Sequence, residues 1–285
     1  MWVLNLKVYV SVDAEGLPGV GSIHHLVPKG VLYDEGRTIF TKFVKEVSLK
    51  LLSLGVKDVL IADSHGSMIN VKYLDVPEGV KLLHGYPRIY SMVYGVGNYD
   101  AAMFVGYHAP AGGSAGGFLA HTYSGATIQR VKVNGVPVSE FYLNALVAGK
   151  YGVPVVLVAG DEVLRGDVQR VSKDIVFVSL KSGVGRYAAI SKDFNTAVKD
   201  LLAGVEESMV RFKEGRIKPL KLTSPATVDI EVKNAGVADM AETIKGVVRI
   251  DEYTLRVVTE DPEEIMKVVE VVAWLGTALQ QLTSV

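Results

Sequence analysis

The sequence predicts an α/β protein: a three-layer arrangement with a mostly parallel sheet flanked by helices, followed by a smaller C-terminal α+β unit of ferredoxin-like type. Three observations carry that reading. Short aliphatic runs at 8–12, 59–62, 103–105 and 155–158 have the continuous apolar character of strands buried on both faces. Apolar residues at helical spacing fill 34–54, between the first two runs, giving strand, helix, strand with the right-handed crossover such units adopt. From 227 onward the order reads β-α-β-β-α, most of a ferredoxin-like unit.

Alternation over 6–12 gives the first strand, and Gly16, Pro18, Gly19 and Gly21 then force a long loop containing His24 and His25. Ile39, Phe40, Phe43, Val44, Val47, Leu51 and Leu52 form the helical stripe, with Gly55 as its stop. Short strands follow at 59–62, 81–83 and 101–105, and 109–117, made of Ala, Gly, Ser and Pro, reads as loop. Asn134-Gly135 between 127–133 and 136–138 suits a type I′ hairpin. A helix over 139–150, a buried strand at 155–158, a helix over 161–171, a strand at 175–180 and a long amphipathic helix over 192–214 complete the first unit. Pro219 and Pro225 break the pattern within 215–226. The division expected there is 1–216 as a metal-binding catalytic domain and 217–285 as a smaller domain for packing or oligomerisation. In the tail, strands at 227–233, 247–250 and 254–259 alternate with helices at 238–244 and 262–282.

The 285 residues are 49% hydrophobic and 21% charged, which excludes a disordered chain. A formal charge of −1 without a basic cluster leaves no electrostatic footprint for nucleic acid or an anionic membrane. No cysteine occurs, so thiolate nucleophiles, disulfides and Cys-type zinc fingers are excluded and any metal must be held by oxygen and imidazole. The apolar runs fall short of a membrane span, and Lys7 lies inside the first strand with no basic region leading into a cleavable apolar segment. A cytoplasmic location is expected.

The chemistry-bearing residues cluster at strand ends. The first three runs stop on Asp13-Ala14-Glu15, Asp63-Ser64-His65 and Gly106-Tyr107-His108, and in open parallel sheets ligands collect where the strands end. On an extended backbone residues two apart share a face, so Asp13 and Glu15 would be aimed together and repel unless a cation lies between them. Asp63 and His65 repeat that spacing, and His108 adds a nitrogen donor. Together they read as a metal site of mixed carboxylate and imidazole ligands. Each residue also has a plainer reading. Asp13 suits a helix cap, Asp63-Ser64-His65 a polar turn, and His108 a satisfied buried histidine. Glu140 sits near a helix start, where the helix dipole favours a carboxylate in any case. His121 reads as a polar group on a loop beside the glycine-rich stretch, which lacks the Gly-Lys-Ser/Thr of a phosphate cradle. His24, His25 and His84 read as structural or surface residues, and Tyr142 and Asn144 as packing and surface residues. Two metals sharing a carboxylate such as Asp13 would suit hydrolysis of a polarised bond.

Taken in order, Ser11-Val12-Asp13-Ala14-Glu15-Gly16, Asp63-Ser64-His65, Gly106-Tyr107-His108-Ala109 and Pro137-Val138-Ser139-Glu140 resemble the zinc-dependent D-aminopeptidase family. Glu35-Gly36-Arg37, Ser91-Met92-Val93, Leu143-Asn144-Ala145 and Val158-Ala159-Gly160-Asp161 extend the resemblance along the whole chain. It implies two zinc ions per chain bridged by Asp13, with Glu15 and His65 on the first and His108 and Glu140 on the second. It also implies a catalytic role for His121, as nucleophile or general base. General acid/base work is favoured because a metal-activated hydroxide already supplies a nucleophile. The implied activity is removal of an N-terminal D-residue, typically D-alanine, from short peptides or amides. The implied assembly is a homo-oligomeric decamer of two stacked pentameric rings around an internal cavity. The alternatives are a dimetal phosphoesterase with a similar ligand set and a metal-stabilised scaffold without turnover.

Overall fold

The computed structural model describes residues 5–113 and 115–283. Its strands are β1 (Lys7–Val12), β2 (Asp58–Asp63), β3 (Val80–Leu83), β4 (Ala101–Tyr107), β5 (Ile128–Val133), β6 (Val136–Pro137), β7 (Val155–Asp161), β8 (Val176–Gly185), β9 (Ala188–Ser191), β10 (Ala226–Val232), β11 (Val247–Arg249) and β12 (Thr254–Thr259). Its α-helices are α1 (Tyr33–Ser53), α2 (Glu140–Lys150), α3 (Arg165–Val171), α4 (Phe194–Lys213), α5 (Ala235–Ala241) and α6 (Pro262–Thr283).

Seven strands form the main sheet in the order β3-β2-β1-β4-β7-β8-β9, parallel except for the last pair. The chain winds outward from β1 through β2 to β3, then returns to place β4 on the other side of β1. The carboxyl ends of β1 and β4 therefore flank a topological switch point, the crevice where such sheets bind ligands. Every residue of β4 and β7 is buried, including Asp161 at the end of β7, as their largely apolar sequences require. α1 and α4 pack together, with α4 also on β7 and β8, while α2 lies against β4, β7 and α6. The stripe on α1 is buried at Phe40, Phe43, Val44, Val47 and Leu51.

The second sheet, β11-β12-β10-β5-β6, is antiparallel throughout. It is not confined to the tail. β10, α5, β11, β12 and α6 supply five elements of a ferredoxin-like unit, and β5 from mid-chain fills the place of the missing fourth strand beside β10. The reason is burial: a lone hairpin is marginal in water, and β5 hides Val131 and Val133 by pairing them with Ile230 and Val228. A division at 216/217 thus leaves two strands of this sheet on the other side of the boundary.

Other departures are local. Asp161 ends β7 instead of opening a helix, and a short 3-10 turn (Glu162–Leu164) precedes α3. β8 runs on to Gly185 and returns as β9. α5 begins earlier than 238, because the Asn234 side chain caps it by accepting from the Gly236 N–H. α6 is long and apolar enough to cross a bilayer by length and composition. It buries Ile265, Met266, Val269 and Val272 and packs on α2, α5 and β12.

Candidate metal centre

Asp13 and Glu15 meet through a turn at the end of β1 instead of an extended segment. The Asp13 N–H donates to the Val105 carbonyl (2.8 Å) and the Gly16 N–H to the Gly106 carbonyl (2.7 Å), tying 13–16 across to the end of β4. Gly106 has φ +78°, and a Cβ there would lie 2.0 Å from the Asp13 carbonyl oxygen. Only glycine allows β4 to approach so closely. On this frame the ends of β2 and β4 deliver His65 and His108, the first turn of α2 delivers Glu140, and the irregular loop after β4 delivers His121.

His65 Nδ1 lies 3.2 Å from Asp13 Oδ1 and 2.9 Å from Glu15 Oε2. His108 Nε2 lies 3.4 Å from Asp13 Oδ2 and 3.7 Å from Glu140 Oε1. His121 Nε2 lies 3.6 Å from Glu140 Oε1 and 4.0 Å from Glu15 Oε1, and its ring stacks on His108 with centroids 4.3 Å apart. Potential ligand atoms fall within 4.8 Å of one another in two triads that share Asp13, namely Asp13/Glu15/His65 and Asp13/His108/Glu140. Glu15, His108 and His121 satisfy the same limit. Asp13, Glu15, His65, His108, His121 and Glu140 therefore converge on one spot, five buried and His121 half-buried.

Backbone carbonyls fix which nitrogen of each imidazole faces the carboxylates. His65 Nε2 is 3.0 Å from the Leu26 carbonyl, His108 Nδ1 2.9 Å from that of Ala109, and His121 Nδ1 2.9 Å from that of Leu119. A carbonyl oxygen only accepts, so each of these nitrogens carries a proton, and the opposite nitrogen faces the acids, where a metal ion would replace any proton it holds. The loop after β1 thus gains a purpose, since Leu26 belongs to it.

Without a cation this arrangement is costly. Burial, and then the Glu15 charge, push the Asp13 carboxyl up to about 8. Burial would likewise raise Glu15, but the His65 and His108 charges hold it well below the usual carboxylate range. Burial opposes protonation of His65 and His108, yet the surrounding carboxylates override it, holding His65 well above its ordinary range and His108 at about 9. Burial and the neighbouring His108 push His121 down. Asp13 Oδ2 and His108 Nε2 have no hydrogen-bond partner among the described residues. Clustered carboxylates, inward-facing imidazole nitrogens and unpartnered buried atoms make a donor set of oxygen and nitrogen that fits zinc-type coordination.

Around this centre lie residues with roles that sequence spacing alone does not reveal. Asp63 shares the spacing of Asp13 but turns away, accepting from the Asn70 side chain (2.9 Å) and the Val71 N–H (2.9 Å). Asn144, read as packing or surface, is fully buried: its Nδ2 donates to the Tyr107 hydroxyl (3.0 Å) and its Oδ1 accepts from that of Tyr123 (2.7 Å). Tyr107 continues the chain to Ser11 and Ser64, while the Tyr123 N–H donates to Glu140 Oε1 (2.7 Å). Lys181, 1% exposed, reaches from β8 to donate to the carbonyls of Glu15 (2.7 Å) and Val20 (2.6 Å). The strand expected at 175–180 stops one residue short of Lys181, and its continuation to Gly185 is what carries the lysine to the site. His24 and His84 are exposed, as expected. A cavity of about 200 Å³ opens beside the centre, lined by Asp13, His65, His121, Glu140 and residues of α6. The tail unit therefore helps to wall the site as well as packing.

The chain is similar to known proteins over most of its length. The profile of the D-aminopeptidase family matches residues 6–271. A D-aminopeptidase of Bacillus subtilis is 29% identical over 242 residues, covering 85% of this chain and 86% of the relative. A solved structure described as the Zn-dependent D-aminopeptidase DppA from Bacillus subtilis, a self-compartmentalizing protease, superposes with a TM-score of 0.88 at 27% identity, covering 95% of this chain and 98% of that one. With the family profile spanning nearly its whole length and the fold reproduced in that neighbour, this chain belongs to the D-aminopeptidase family.

Proposed function

We propose that the protein is a cytoplasmic dizinc aminopeptidase that removes an N-terminal D-residue, D-alanine-like, from short peptides or amides. The observation that carries this reading is the pair of ligand triads sharing Asp13, with three histidines whose outer nitrogens are held by backbone carbonyls. Glu15 and His65 would hold one zinc, His108 and Glu140 the other, and Asp13 would bridge them. Bound there, the two ions supply an acidified water near neutral pH and a Lewis acid for the scissile carbonyl. His121 serves as general acid/base. Burial and the His108 charge favour its neutral form, and its Nδ1 proton is engaged by the Leu119 carbonyl, so Nε2 is free to accept a proton. It takes that proton from the attacking water and returns it to the departing amine as the C–N bond breaks. Tyr123 steadies Glu140 through its backbone N–H. The small cavity favours short substrates. Assembly as a decamer of two pentameric rings is supported by the self-compartmentalizing neighbour and by exposed apolar side chains such as Val31 and Leu74.

The test is amine release from D-alanyl-D-alanine and L-alanyl-L-alanine by zinc-loaded protein, beside a chelator-treated control. Chelator-sensitive cleavage of the D-peptide alone is expected. Cleavage of both would remove the stereospecificity, and cleavage of neither, with an aryl phosphate hydrolysed instead, would replace the peptidase by a phosphoesterase. His65→Ala and His108→Ala should lose zinc and activity together. His121→Asn should keep zinc and lose about 10²–10⁴-fold in kcat.

A further inference from the structure

Glu270 on α6 lines the cavity shared with Asp13, His65, His121 and Glu140. It is 4% exposed, and its Oε1 has no hydrogen-bond partner among the described residues. Buried carboxylates are normally paired, so a cavity-lining carboxylate with one unpartnered oxygen is a candidate recognition element for a cationic ligand. Arg88 is near enough to draw Glu270 down, but its N–H groups donate to the carbonyls of Asp63, Gly85 and Ser91. Burial nonetheless pushes the Glu270 carboxyl up to about 7, against the Tyr90 backbone and Arg88. Positions 270, 273, 274 and 277 share one face of α6. Ala273 and Thr277 line the cavity with Glu270, and Trp274 donates through Nε1 to the hydroxyl of Tyr86, another lining residue.

We propose that Glu270 binds the N-terminal ammonium group of the substrate, an assignment that rests on the aminopeptidase reading above. Charge balance supplies the need for such a group. Asp13, Glu15 and Glu140 together carry less negative charge than two divalent ions would carry positive, so with a neutral water bound the loaded centre would have no net attraction for an ammonium. A second anion in the same cavity draws the amine away from the ions and turns the first carbonyl toward them. The ring of Tyr86, fixed by Trp274, offers a cation a further apolar and π surface. The required ligand end is thus a primary ammonium on a small chain, and a blocked N-terminus is rejected because it leaves the buried carboxylate unpaired.

The experiment titrates zinc-loaded protein with D-alaninol, which has the ammonium and no scissile bond, and with propan-1-ol, which lacks the ammonium. Zinc content and melting temperature are measured for each variant. Wild type should prefer D-alaninol. Glu270→Gln should weaken D-alaninol about 10- to 100-fold and leave propan-1-ol within about twofold, with zinc content unchanged and Glu270→Asp restoring part of the loss. In turnover the same factor should appear in KM more than in kcat. Absence of a preference in wild type, or its survival in Glu270→Gln, overturns the assignment. Should Glu270→Gln lose zinc or fold poorly, Thr277→Lys decides, because this exposed position lies two turns along the same helix face and brings a competing ammonium. Selective weakening of D-alaninol supports the proposal and unchanged binding overturns it. A wild type that selects D-alaninol but cleaves no peptide leaves Glu270 as an ammonium site and removes the peptidase reading alone.

Discussion

Lys181→Met separates holding the fold from shaping the metal centre. The substitution removes two hydrogen bonds from a buried ammonium, to the carbonyls of Glu15 (2.7 Å) and Val20 (2.6 Å). Each carbonyl left unpaired costs about 1–3 kcal/mol. Against this, methionine no longer buries a charge. Burial holds the Lys181 amine down from 10.5 to about 8, despite the Asp161 and Glu15 charges, a cost of roughly 3 kcal/mol that the variant avoids. The two nearly offset, so the melting temperature should move by only a few degrees. Zinc affinity should behave otherwise. Freed of its anchor, the Glu15 backbone relaxes, and loss of such an outer contact typically lowers metal affinity about 10- to 100-fold. Titration of zinc against a chromophoric chelator, beside a thermal melt, measures both. Unchanged zinc affinity, or a large fall in melting temperature with affinity intact, would make Lys181 a fold staple and refute the reasoning.

Metal-free protein should lose stability as pH rises. The surrounding carboxylates outweigh burial and raise His108 from 6.5 to about 9, so its contribution is full below 6.5 and disappears as pH climbs through 9. Burial and Glu15 raise Asp13 from 3.8 to about 8, so its ionisation adds loss across that interval. Melting of chelator-treated protein should therefore fall between these values while the zinc-loaded protein holds, and a chelated protein that gains stability with pH would contradict the charge arrangement. Gly106→Ala places a Cβ 2.0 Å from the Asp13 carbonyl at φ +78°, costing about 1–2 kcal/mol in backbone conformation alone. It should also displace Asp13 and weaken zinc at least about tenfold, and wild-type affinity would count against it. Asn144→Leu leaves the buried hydroxyls of Tyr107 and Tyr123 without their amide partner, which should lower stability by about 2–4 kcal/mol in denaturant unfolding. A loss under about 1 kcal/mol would mean that the two tyrosines find other partners.

The site was legible where chemistry and strand ends coincide. Asp13, Glu15, His65, His108 and Glu140 stand at the ends of buried apolar runs or at a helix start, and a parallel sheet gathers such ends at one edge. Asp63 shows the limit of spacing. It has the same offset from His65 as Asp13 from Glu15, yet the backbone N–H groups at Asn70 and Val71 capture it. Asn144, Lys181 and Glu270 escaped because their partners lie 21 and 37 positions away for Asn144 and 161 and 166 for Lys181, or belong to the cavity itself. The β5–β6 hairpin could be recognised from Asn134-Gly135, but not its pairing with β10, because a turn signal says nothing of which distant edge a hairpin will cover.

The interleaving of the two sheets has a temporal consequence. A chain made from its N-terminus presents the candidate metal ligands by Glu140, but the α6 wall of the cavity is made only after them, from Pro262 onward, and β5 must wait for β10 before its apolar face is covered. Metal could thus be captured early, whereas a pocket able to seat a peptide exists only once the tail has closed over it. The order of residues along the chain separates a stage that can hold metal from a later one that can seat a substrate.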